Sequence, residues 1–181
     1  ILKDGNVKMK ATEAKERQAP LKEKYRDDPE SACVTFSVTG EVVRDELSIR
    51  IPTHIGNLVS GLHPAAGGDG TEGCSGDMLL ESLVGCAGVT LQAVSHAMGI
   101  TVNAASITAE GDMDFRGTLG VDRETPVGIT SIRLHFDIDC DADEESITKL
   151  ISLTERYCVI YQTLVGGLSI TTECANSRSA S

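Results

Sequence analysis

Along most of the chain apolar residues recur at one of two spacings, and each spacing predicts an element. Ala32, Val34, Phe36 and Val38 alternate with Cys33, Thr35 and Ser37, which predicts a half-buried strand over 32–38. A second strand is expected over 46–51, ended by Pro52, which has no N–H to give a ladder. Ile107, Ala109, Gly111, Met113 and Phe115 alternate with Thr108, Glu110, Asp112 and Asp114 before a turn at Arg116-Gly117. Ile132, Leu134, Phe136 and Ile138 alternate with Arg133, His135, Asp137 and Asp139. These two runs are the cleanest strand patterns in the chain, and a last alternating run over 168–172 predicts a closing strand.

Residues 77–98 are instead helical in composition and apolar nearly all round, with Gly99 as a natural stop, so this helix is expected to be buried. Asp143, Glu144 and Glu145 place carboxylates in the first turn of a second helix, on which Ile147, Leu150, Ile151, Thr154 and Cys158 form one stripe. Gly56, Gly61, Gly67, Gly68, Gly70, Gly73 and Gly76 predict a long loop over 56–76. Residues 8–28 are charged and interrupted by Pro20, which predicts a short helix followed by an extended arm. The order is an α+β pattern with an antiparallel sheet packed on a buried central helix. It divides into a charged arm (1–30), one domain (31–175) and a tail (176–181).

Composition narrows the picture. A chain of 181 residues, 40% hydrophobic, suits one domain, and with three Phe, three Tyr and no Trp its core must be aliphatic. A formal charge of -11 argues against nucleic acid and anionic membrane surfaces as partners. The basic residues of the first quarter interleave with acidic ones and read as a solvated face. With neither a signal-peptide pattern nor an unbroken apolar run of about 18 residues, the expected setting is soluble and cytoplasmic.

The six cysteines (Cys33, Cys74, Cys86, Cys140, Cys158, Cys174) have no CxxC or zinc-finger spacing, so free thiols and no metal are expected. Gly68 to Gly73 matches GxGxxG, but no strand feeds it and Glu110 lies too far downstream for a ribose contact, so no dinucleotide cofactor is expected. Asp137, Asp139 and Asp141 open like a calcium loop, but Ala142 and Thr148 stand where it needs glycine and glutamate. His63, in the glycine loop, suits a pocket-lining or hydrogen-bonding role. Cys86 sits deep in the apolar helix, where burial alone would raise its pKa and leave it inert unless another element brings a cation. Cys158 lies on the apolar stripe of the second helix, so both helices could direct a thiol into one core. A sulfenic acid on one could then condense with the other.

At these residues the sequence resembles the OsmC/Ohr family. The resemblance rests on Gly67-Gly68-Asp69-Gly70, on Met78 to Gly88 with its Leu83-Val84-Gly85-Cys86, on Ala109 to Gly117, and on Arg156-Tyr157-Cys158. It covers roughly residues 32–173. The resemblance implies an intertwined homodimer whose central helices pack together, with active sites at the subunit interface. It also implies a thiol peroxidase that reduces organic hydroperoxides in oxidative-stress defence, with Cys86 peroxidatic and Cys158 resolving. An external dithiol, lipoyl-linked being one form, would regenerate it. In the peroxidase members an arginine after the first strand activates the thiolate. Arg44 is the best-placed match, with Arg50 and Arg116 as alternatives. The glutamate that holds this arginine falls on Gly76, so Asp69 or Glu72 would have to reach in from the loop. Asp77, nine residues before Cys86, is expected on the opposite helix face. The other reading is a non-catalytic homologue that binds a small ligand in the glycine-loop pocket, its cysteines merely packed.

Overall fold

The computed structural model describes residues 11–175, with side chains from residue 13 onward. Its regular elements are α1 (Ala11–Asp27), β1 (Glu41–Val42), β2 (Ile49–Thr53), β3 (Gly56–Gly61), β4 (Gly73–Cys74), α2 (Ser75–Met98), β5 (Val102–Met113), α3 (Phe115–Thr118), β6 (Ile129–Cys140), α4 (Glu144–Tyr157) and α5 (Val159–Gly166). The α+β class follows directly. Among the described residues there are two sheets: β1-β2-β3-β4, antiparallel except for the β3–β4 pair, and the long antiparallel ribbon β5–β6.

The ribbon forms where the period-two pattern is strongest, and its two faces divide by polarity. Ile107, Ala109, Ile132, Leu134 and Phe136 point inward onto α2. On the outer face Arg133 bridges Glu110 (3.2 Å) and Asp112, across the strand pair. The Arg133 guanidinium, with Ser131 Oγ, holds the Asp112 carboxyl far below the usual carboxylate range.

α2 begins beside β4 and ends at Gly99, whose left-handed φ of 71° makes the C-cap. Its buried residues are Leu83, Ala87, Leu91 and Ser95. That four-residue spacing is one stripe. The expectation of burial on every side is therefore corrected: Val89 is 74% exposed and Leu79 is exposed as well. By length and composition α2 is also apolar enough to cross a membrane, although polar residues such as Glu81, Thr90 and Gln92 interrupt its apolar runs. The second helix starts as its carboxylates predict, with Asp143 accepting from the Ser146 N–H at 2.7 Å. It ends at Tyr157, and after a one-residue break at Cys158 the chain enters α5, a helix that the periodicity did not announce.

Four further expectations are revised. Residues 33–40 form no strand: Val34, Phe36 and Val38 alternate as expected but lie exposed and join neither sheet. The run 168–172 is likewise unpaired, with Ile170 89% exposed. The glycine loop contains β3 and β4 and is shorter than its composition suggested, since backbone pairing to β2 needs no side chains. Pro20 lies inside α1, where the loss of one N–H bond is tolerated in a solvent-exposed helix rich in good helix formers. Part of the arm (1–10) and the tail (176–181) lie outside the described residues.

Leu83 is 2% exposed and packs with Ala87 and Cys158. Leu83→Ala is expected to cost about 2–5 kcal/mol through the cavity it leaves, read as a lower midpoint in urea unfolding with an unchanged slope.

Candidate functional site

Cys86 is the twelfth residue of α2, more than three turns from that helix's own N-terminus, so α2 gives its thiol little electrostatic help. The help comes from another element. The break between α4 and α5 sets Cys158 against the Leu83 and Ala87 face of α2, where Cys86, Ile160, Tyr161 and Leu164 pack around it. Cys158 closes one helix and opens the next: its N–H donates to Thr154 O at 2.9 Å, and its Sγ accepts from the Tyr161 N–H at 3.5 Å. Both thiols are free, Cys158 fully buried and Cys86 partly exposed.

Their shared environment separates their titrations. Burial pushes the Cys86 thiol up, but the Ile160 amide, the Cys158 thiol, the Val159 amide and the Thr90 hydroxyl together bring it below its ordinary value. Burial pushes the Cys158 thiol up, the Tyr161 amide opposes this, and the neighbouring Cys86 adds to it, so the net shift is upward. Two titratable groups driven apart in this way acquire different roles: Cys86 ionises first, and Cys158 remains a neutral donor beside it.

Other sequence-predicted residues lie elsewhere. His63 stacks on Phe115, ring centroids 5.1 Å apart, and its Nδ1 accepts from the Ala65 N–H at 3.0 Å. Gly68 packs so closely that an added Cβ would fall on the Leu62 carbonyl oxygen, which pins the loop behind His63. His63 lines a cavity of about 690 Å³ with Leu62, Cys74, Leu79, Met113 and Phe115. The thiols do not line it, but Ile132 and Leu164 belong both to the cavity wall and to the thiol cluster.

Arg44 is exposed in the turn between β1 and β2 and has no ion pair or side-chain hydrogen bond among the described residues. Arg50 is exposed on β2. Arg116 is committed to Asp114 at 2.6 Å, and the bond holds that carboxyl down to about 2. Of the loop carboxylates, Asp69 accepts from the Thr71 hydroxyl at 2.7 Å, and Glu72 lies over Gly61. Asp77 opens onto a separate groove with Glu81 and Val84. No cation is among the groups that act on the Cys86 thiol. Thr90 and the first amides of α5 were missed in the sequence. Thr90 follows Cys86 by four residues, a helical neighbour, and Gly166-Gly167 marks the end of a helix begun after Cys158. Among the described residues no cluster of His, Cys, Asp and Glu could hold a metal ion.

The family model for OsmC-like proteins matches residues 68–173, more than half of the chain, from within the glycine loop to just past the end of α5. The chain belongs to the OsmC-like family. Solved structures of the same fold include an OsmC-like protein from Mycoplasma pneumoniae, 20% identical, with a TM-score of 0.62 over 74% of this chain and 89% of that one. An organic hydroperoxide resistance protein OsmC from Legionella pneumophila is 15% identical, with a TM-score of 0.58 over 74% and 93% of the two chains. An organic hydroperoxide resistance protein from Elizabethkingia anophelis is 12% identical, with the same score over 74% and 91%. At such identities these likenesses establish the fold. Comparison with curated protein sequences finds no match.

Because the Cys158 thiol helps to lower that of Cys86, Cys158→Ala is expected to move the onset of Cys86 alkylation to higher pH. Iodoacetamide rates at Cys86, followed by mass spectrometry from pH 5 to 10, would show the shift. In the unsubstituted protein Cys86 should react before Cys158 throughout.

Proposed function

We propose that this OsmC-like protein is a thiol peroxidase acting on organic hydroperoxides, with Cys86 as nucleophile and Cys158 as resolving thiol. The observation that carries this reading is the pair itself: two free thiols from different helices in one apolar cluster, the more exposed lowered and the buried one raised. The Cys86 thiolate attacks the terminal oxygen of the hydroperoxide, the O–O bond breaks, and the departing alkoxide takes a proton to leave as the alcohol. Cys86 is left as a sulfenic acid. The Cys158 sulfur then attacks the Cys86 sulfur, and its proton leaves with the hydroxyl as water while the disulfide forms. An external dithiol, of which a lipoyl-linked one is a fitting example, reduces the disulfide and closes the cycle. The names of the Legionella and Elizabethkingia neighbours support the substrate class.

The active form in this reading is a homodimer. Its support is the apolar surface that one chain leaves uncovered: Val89 on α2, the alternating Val34, Phe36 and Val38, and Leu168 with Ile170. A second copy would cover this surface and supply edges for the two unpaired runs. It would also be the route by which Arg44 reaches a thiol. The alternative reading, ligand binding without chemistry, draws on the cavity beside His63, which is of a size suited to a small molecule.

Anaerobic, fully reduced protein given one equivalent of cumene hydroperoxide is expected to consume it and form a Cys86 to Cys158 disulfide. Cys86→Ser should do neither. Unconsumed peroxide with both thiols intact would leave the cavity as the functional element. Sedimentation equilibrium at micromolar concentration is expected to give twice the mass of one chain, and a monomer would remove the homodimer from the reading.

A further inference from the structure

A glycine in the wall of a cavity has one of three physical grounds: a backbone angle that a Cβ forbids, a neighbour that excludes a Cβ, or space that the fold keeps open. Three glycines line the cavity beside His63, and they differ in this respect. Gly128 has a left-handed φ of 108°, which a side chain would strain. A Cβ on Gly61 would fall on the Glu72 carboxylate. Gly76 is under neither constraint. Its backbone is helical, and its Cβ would stand 3.6 Å from Cys74 Sγ, an ordinary contact, with nothing else outside its own turn of α2 within 4 Å. Glycine is also a poor helix former, so nothing local favours it as the second residue of α2. What a side chain at this position would remove is volume, because Cys74 lines the same cavity.

We propose that Gly76 sets the bulk of the ligand that this cavity takes, and that the ligand is an uncharged, largely apolar alkyl or aryl molecule with one polar group. The proposal rests on the cavity and not on the reading of Cys86 as a nucleophile.

The chemistry of the wall fixes the ligand class. At about 690 Å³ the cavity falls within the range of sites for small organic molecules. Leu62, Leu79, Met113, Phe115, Ile129 and Ile132 give it an apolar lining. Among the described residues no Asp, Glu, Lys or Arg lines it, so an ion that entered would lose its water and gain no counter-charge. Two of its hydroxyls are already engaged: Thr130 donates to Asp112 O at 3.2 Å, and Ser131 to the Asp112 carboxylate at 2.6 Å. His63 is different. Its Nδ1 accepts from the Ala65 N–H, so the neutral ring carries its proton on Nε2 and has one N–H to offer. A single acceptor on an otherwise apolar molecule matches that supply.

The test uses 2-phenyl-2-propanol, an uncharged aryl alcohol that cannot oxidise a thiol, and 4-isopropylbenzoate as an anion of similar bulk. Calorimetric titration of the reduced full chain is expected to show saturable binding of the alcohol, with the benzoate at least about tenfold weaker. Cys74, half-buried in the cavity wall, is an internal reporter. Saturating alcohol should slow its alkylation by iodoacetamide, while the exposed Cys33 reacts at an unchanged rate. Gly76→Ala is expected to weaken the alcohol a few-fold and Gly76→Leu about tenfold or more, because the new side chain takes the ligand's room. The smaller tert-butanol, followed by NMR shifts, should lose far less. Both variants should unfold at the same or a higher urea concentration than the unsubstituted protein, since alanine and leucine are better helix formers and the position has room for them. Should the leucine variant unfold early, the alanine variant carries the comparison.

No binding of the alcohol, equal binding of the benzoate, or an alcohol affinity unmoved by both substitutions would each overturn the proposal. So would an affinity that falls as the protein concentration rises, which would give the cavity to a second copy of the chain. Peroxide consumption is read separately: a protein that consumes none can still bind the alcohol, and an active peroxidase can fail to bind it.

Discussion

The site depends on a break of one residue. Between α4 and α5 the chain leaves helical geometry only at Cys158, and in doing so it ends one helix, caps the next and buries a thiol against α2. Had the helix continued, the Tyr161 N–H would have donated to a carbonyl four residues back and not to the Cys158 sulfur. The break also lets Ile160, Tyr161 and Leu164 pack onto the Leu83 and Ala87 face, in the cluster that holds Cys86.

This solution suits an acidic chain. With a formal charge of -11, the chain has few cations to spare, and a buried guanidinium beside Cys86 would need its own carboxylate to orient it. Backbone amides need no counter-ion and cost no side-chain entropy to hold in place. They also act at short range in an apolar cluster, where few competing dipoles weaken them. The result is a thiol whose neighbours are nearly all hydrophobic and whose ionisation is nonetheless favoured.

The cavity beside His63 and the thiol pair share a wall without sharing an opening. Ile132 and Leu164 face both, so an apolar molecule in the cavity would press on the side chains that seat Cys158. Gly76 and Leu79 carry the start of α2 along the cavity edge, which makes the central helix the common support of both features. The same helix keeps an exposed apolar face, and so do the two unpaired runs at either end of the domain. One chain therefore packs both thiols into one cluster while leaving apolar surfaces uncovered.

Local pattern was enough for the α+β class, the extent of α2, both strands of the long ribbon and the Asp143 start of α4, because alternation, helical stripes and caps are properties of neighbouring residues. It also allowed Cys86, in the apolar helix, and Cys158, on a helical stripe, to meet in one core, and the structure places both in one cluster. It could not find partners. Period two gave residues 32–38 a strand's faces but not a partner strand, and glycine content concealed β3, whose pairing to β2 is made by the backbone. Nor could it say what lies beside a thiol in the middle of a helix: periodicity did not announce α5, whose Ile160, Tyr161 and Leu164 pack in the cluster that holds Cys86. Spacing along the chain determines which residues share a face. Which donors meet which sulfur is a matter of helices crossing in space, and tertiary packing alone decided that.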